Sequence, residues 1–161
     1  MKAVSVKELK LELDNRSPKE LRELCLRLSK FKKENKELLT YLLFESSDEA
    51  TYVESVKMHI DKQFEEVNRK SYYFIKKSIR KILSDTRKYC RYSQNKKTEI
   101  DLLIYFSLKL KNFRPSIRKN NALRNLYIRQ TDSITEKVSA LHEDLQYDYR
   151  TELNALTESD K

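Results

Sequence analysis

Residues 69–97 read RKSYYFIKKSIRKILSDTRKYCRYSQNKK. Placed on a helix at 100° per residue, Tyr72, Ile75, Ile79, Ile82, Leu83, Thr86, Tyr89 and Cys90 fall within an arc of about 120°. That spacing predicts a helix over 69–92 with one side turned to a protein core. The opposite arc, about 140° wide, holds the basic residues with Tyr73 among them. Phe74 and Tyr92 stand at its far border.

The segment carries eleven Lys and Arg against one acid, Asp85, a net charge of +10. The residues before it carry 13 basic and 14 acidic side chains, and those after it 10 and 10. The net charge of +9 therefore sits in one stretch. Candidate macromolecule-binding residues are Arg69, Lys70, Tyr73, Lys76, Lys77, Arg80, Lys81, Arg87, Lys88 and Arg91. Arg114, Arg118 and Lys119 extend the surface if their connection lies beside the helix.

Three roles fit such a face. It is a solvated helix side, an anion-binding surface, or a surface neutralised within the chain. The third has a source nearby: 45–66 holds seven acids and two lysines, and an antiparallel helix there would answer the charge. For nucleic acid, Lys and Arg would neutralise phosphates while Tyr73, and Tyr92 if exposed, stack on bases. An acidic protein partner would use the same cations. An anionic membrane surface fits less well, because the apolar arc is needed for a core.

Composition bounds the rest. A length of 161 residues favours one domain over 1–161, with 157–161 frayed. Charged residues make up 37% and hydrophobic ones 39%, with no Gly and two Pro. Hairpins and bulges draw on Gly, so its absence favours an all-α fold. The same absence excludes a P-loop and a dinucleotide fingerprint. No apolar run reaches the roughly 18 residues of a membrane span, and MKAVSVKELK lacks the apolar centre of a signal peptide. Cys25 and Cys90 lie on apolar stripes and are expected to be buried thiols in a reducing, cytoplasmic compartment.

Ser5-Val6-Lys7-Glu8 and Ser17-Pro18-Lys19-Glu20 are capping boxes that open the first two helices. The pattern loosens at 32–35, where one helix ends or kinks. Leu38, Leu39, Leu42, Leu43 and Phe44 make the third helix apolar over most of its circumference, which predicts a central position. A fourth helix spans about 48–67, with Val53, Val56, Ile60, Phe64 and Val67 inward. Beyond the basic helix, Thr98 and Asp101 resemble a cap, and Ile100 to Phe113 leaves so little polar surface that it should be the most buried helix. From Ala122 an apolar stripe continues nearly to the end, with a possible break at Gln130–Ser133. Seven or eight helices joined by short loops form either a compact bundle or a short superhelix of stacked hairpins.

Catalytic chemistry finds little support. His59 and His142 lack a Glu three residues before them and belong to no HExxH, so no metal or cofactor is expected. His142-Glu143-Asp144 with Tyr147-Asp148-Tyr149 is a dense polar group that either lines a cleft or pairs internally. No carboxylate pair with acid–base surroundings stands out. No small-molecule substrate is evident, and nothing fixes the oligomeric state.

SPKELRELCLRL, TEIDLLIYF and LHEDLQYDY resemble an uncharacterised family of small bacterial all-helical proteins, a domain family of unknown function. The resemblance implies an all-α cytoplasmic bacterial protein and brings no activity or cofactor. The N-terminal helix pair is similar to the DNA-binding SAP module, except that its turn at 14–16 is tighter and lacks Gly. The expectation is a non-enzymatic all-α binding or scaffold protein that engages an acidic protein partner, or nucleic acid with Tyr73 stacking.

Overall fold

A computed structural model describes residues 2–157. Among them are nine α-helices, a π turn, a 3-10 turn and no strand, so the fold is all-α. The sequence favours one domain; the chain packs as two compact units, Met1–Phe44 and Glu45–Lys161.

The first unit holds α1 (Val6–Asp14), α2 (Pro18–Phe31), α3 (Lys33–Thr40) and the start of a π turn over Tyr41–Glu45. Both capping boxes form as expected. Ser5 Oγ accepts from the Glu8 amide while Glu8 accepts from the Ser5 amide at 2.8 Å, and Ser17 with Glu20 repeats the exchange at 2.9 Å. These bonds hold the Glu8 and Glu20 carboxyls below the usual carboxylate range. The chain breaks at Lys32, which is extended, and Asn35 Nδ2 donates to the Leu28 carbonyl across the break. Two expectations fail here. No side chain of α3 is buried, and Leu42, Leu43 and Phe44 are exposed rather than central, although Tyr41 just before them is buried. Cys25 is exposed, not a core thiol. Cys25 and Leu42 line an open groove between α2 and α3, which pack on each other without closing a core over them.

The second unit is built around α6 (Lys96–Lys111), which packs on α4 (Glu49–Glu65), α5 (Tyr72–Ser93), α7 (Asn121–Ser139) and α9 (Arg150–Thr157). A short α8 (Glu143–Asp148) joins α7 to α9. Ile100, Leu102, Phe106 and Leu110 are inaccessible to solvent or nearly so, which bears out the expectation for this helix. Each such side chain contributes roughly 1.5–3 kcal/mol relative to exposure. Val53, Val56, Ile60 and Phe64 are buried as the spacing of α4 requires, and Val67 is buried just beyond the helix, which ends at Glu65 rather than 67.

The cap of α6 differs from expectation. Asn95 accepts from the Lys97 and Thr98 amides, while Thr98 is buried and donates to Glu49 at 2.6 Å. The basic loop thereby shrinks to Gln94 and Asn95, with Gln94 left-handed at φ 54°. The polar run Gln130–Ser133 does not break α7. Gln130 and Thr131 are buried: Arg87 donates to Gln130 Oε1 at 3.1 Å, and Thr131 Oγ1 donates to the Tyr127 carbonyl. The break falls later, where His142 caps α8. Thr157 closes α9, and the rest of the segment expected to fray lies outside the described residues.

Candidate macromolecule-binding face

α5 has 22 residues, about 33 Å of helix. Ile75, Ile79, Ile82, Leu83, Thr86 and Cys90 are buried along one side. Three of its hydrogen bonds to other elements, beside those of Arg87 to Gln130 and Ser93 to Glu49, fix its rotation. Tyr52 Oη of α4 donates to the Tyr89 carbonyl, Gln63 Nε2 donates to Asp85 at 2.7 Å, and Tyr72 Oη donates to the Ser116 carbonyl at 2.9 Å.

With the helix so fixed, Arg69, Lys70, Lys77, Arg80, Lys81, Arg87 and Arg91 are exposed, and Lys76 and Lys88 are half-buried. Tyr73 is 65% exposed amid them, edge-on to Phe74. Tyr92 corrects the expectation at the border of the arc. It is buried against Tyr89 and takes no part in the surface.

The 112–119 connection joins the start of this face. The Tyr72–Ser116 bond ties it to α5, and the Arg69 guanidinium lies 5.1 Å from the Phe113 ring centre. Arg114, Arg118 and Lys119 are exposed there, flanking a cis Arg114–Pro115 peptide and a 3-10 turn over Ile117–Lys119. The thirteen residues thus lie on α5, on the segment leading into it and on one connection bonded to its first turn.

Asp61 and Glu54 of α4 pair away from this face, and Glu49 accepts hydroxyls at its C-terminal end. Asp61 takes the Lys109 ammonium at 2.8 Å and the Tyr105 hydroxyl at 2.7 Å, both from α6. Glu54 pairs with Lys57, and Glu49 accepts from Ser93 and Thr98. Asp85, the acid of α5 itself, accepts from Gln63. Among the described residues, no carboxylate lies within 4 Å of the cations of Lys76, Lys77, Arg80, Lys81 or Arg91. Like charges instead stand one turn apart at Lys76 and Arg80, Lys77 and Lys81, and Arg87 and Arg91. Each such pair costs about 0.2–0.5 kcal/mol.

At its C-terminal end the face opens into a cleft of about 530 Å³ between α5, α6 and α7. Arg87, Arg91 and Lys96 line it with Lys137, which pairs with Glu99 at 2.9 Å. Lys137 is absent from the candidates because no local pattern ties α7 to α5; the cleft forms only when both pack on α6. Cys90 lines the same cleft, where burial pushes its thiol up to about 12 and keeps it protonated near neutral pH.

The polar group at 142–149 divides. Tyr149 is buried and donates to Asp101 at 2.6 Å, with burial and that carboxylate raising its hydroxyl pKa. Tyr147 is exposed beneath Arg150. Among the described residues no set of His, Cys, Asp and Glu is arranged to hold a metal ion, and no helix is long and apolar enough to cross a membrane.

The chain matches no protein-family model, and no curated protein or solved structure is significantly similar to it.

Proposed function

We propose that this chain is a non-enzymatic binding protein whose α5 face, with the 112–119 connection, engages an acidic surface of a partner protein. The observation that carries this reading is that, among the described residues, no carboxylate lies within 4 Å of the cations of Lys76, Lys77, Arg80, Lys81 and Arg91, while Glu54 and Asp61 of α4 pair with Lys57 and Lys109. A helix that keeps like charges at successive turns forgoes stability, and such exceptions concentrate at functional sites. The family resemblance and the free thiols support a bacterial, cytoplasmic setting.

A second reading, nucleic-acid binding, is favoured by one specific feature: the exposed Tyr73 ring set among cations. The two separate by substitution. Reversal of Lys77, Arg80, Lys81, Lys88 and Arg91 to Glu should abolish binding under either. Tyr73→Ala should weaken binding to single-stranded nucleic acid about tenfold, given roughly 1–3 kcal/mol per stacked base, and leave an acidic polypeptide unaffected. An unchanged partner set after the five reversals would reduce the face to a solvated helix side.

A further inference from the structure

The N-terminal unit has apolar stripes, and of its described side chains only Tyr41, at its end, is buried. No side chain of α1, α2 or α3 is buried. Val6 is 82% exposed, Phe31 77% and Leu28 60%. The helices have 9, 14 and 8 residues, at or below the length at which isolated helices hold in water. Yet complete capping boxes open α1 and α2. Such helices need apolar cover from outside the unit.

The shape of the surface is defined. Leu21, Leu24, Leu28 and Phe31 run along α2 between two grooves. One, of about 520 Å³, is lined by Leu9 and Leu13 of α1 with Leu24. The other, of about 310 Å³, is lined by Leu38 and Leu39 of α3 with Cys25 and Leu28. Ridge beside groove is the relief by which helices interlock.

We infer that this face binds a second copy of the same chain, α2 of each copy seating against the other to form a symmetric helical dimer. Charge supports self-pairing. The border of the α1–α2 groove carries both signs, Glu12, Glu20 and Glu23 with Arg16 and Arg27, so two identical borders attract as well as repel. Arg16 lies between Glu12 at 3.6 Å and Glu20 at 3.5 Å, so both signs meet across the α1–α2 turn. The face of α5 carries one sign only and would repel its own copy. Size also fits. A standard interface takes about 800 Å² of accessible surface from each partner. The three helices present on the order of 500 Å² in flat projection, and their ridges enlarge the accessible area.

The test is the molar mass of the full chain by sedimentation equilibrium in about 0.5 M NaCl, where charged faces are screened. The expected mass is twice the 19.4 kDa of one chain. Leu24→Glu with Leu28→Glu should return it to a single chain. Leu26→Glu, an exposed leucine on the opposite side of α2, should leave the dimer intact and controls for the introduced charge. Lys77→Glu with Arg80→Glu should also leave it intact. A single-chain mass for the wild type, as when another part of the chain or a different protein covers the face, overturns the inference. So does a dimer that survives Leu24→Glu with Leu28→Glu, or one that Leu26→Glu dissociates equally.

Discussion

Asp61 accepts from Tyr105 and pairs with Lys109, so one carboxylate joins α4 to α6. Burial pushes its pKa up, but hydrogen bonds from Lys109 and Tyr105 outweigh it and hold the carboxyl below its usual range. A depressed folded pKa adds stability above the unfolded value of about 4, and that stability is lost as pH falls through the folded one. The bond to Asp61 in turn raises the Lys109 pKa, a contribution lost only in strong alkali. Asp61→Asn should therefore lower stability near neutrality by up to about 1 kcal/mol and flatten the loss below about pH 4, as read from urea midpoints across that range. Gln94 shows a different local effect. The chain has no Gly, yet Gln94 takes a left-handed φ of 54° where α5 turns into α6. Gln94→Gly should raise the urea-unfolding free energy by about 1 kcal/mol by removing the Cβ conflict; a decrease would mean the side chain contributes more than the backbone loses.

At the scale of the element, what the sequence made legible was what neighbours along the chain decide. Both capping boxes, the apolar arc of α5 and the burial of α6 follow from spacing alone. The errors lie where a distant partner decides. Gln130 resembled a break until Arg87 of α5 supplied its donor. Thr98 resembled a cap, but Glu49 of α4 takes its hydroxyl and Asn95 caps instead. Leu42 and Leu43 resembled core, but spacing gives the direction of a stripe and not whether anything covers it. For the candidate site the same split holds: the cations were readable, whereas the inward turn of Tyr92 and the arrival of Lys137 were not. The two sides of α5 should respond oppositely to substitution. Ile79→Ala, fully buried, should cost about 2–5 kcal/mol of unfolding free energy. Arg80→Glu, exposed and one turn from Lys76, should leave stability unchanged or raise it by about 0.5 kcal/mol, since a repulsive pair becomes attractive. A marked loss at Arg80→Glu would assign that side chain a structural role instead.

Over the whole molecule, charge and apolar surface are segregated. The unit Glu45–Lys161 has a core around α6 and an outer helix on which, among the described residues, no carboxylate lies within 4 Å of the cations of Lys76, Lys77, Arg80, Lys81 or Arg91. The unit Met1–Phe44 has capped helices, mixed charges and bare apolar stripes. The first suits electrostatic capture of an acidic macromolecule, and the second suits association through helix packing. The most direct measurement is a fluorescence-anisotropy titration of labelled polyglutamate and mixed-sequence nucleic acid. It compares wild type with the Lys77, Arg80, Lys81, Lys88 and Arg91 reversal, from about 50 to 200 mM salt. The wild type should bind at low salt and weaken steeply as salt rises, with a log–log slope near −4.5 on nucleic acid for about five phosphate contacts, and the reversed protein should bind neither probe. Failure of the wild type to bind either probe at low salt, or equal binding by the reversed protein, would contradict the assignment of α5 as the contact surface.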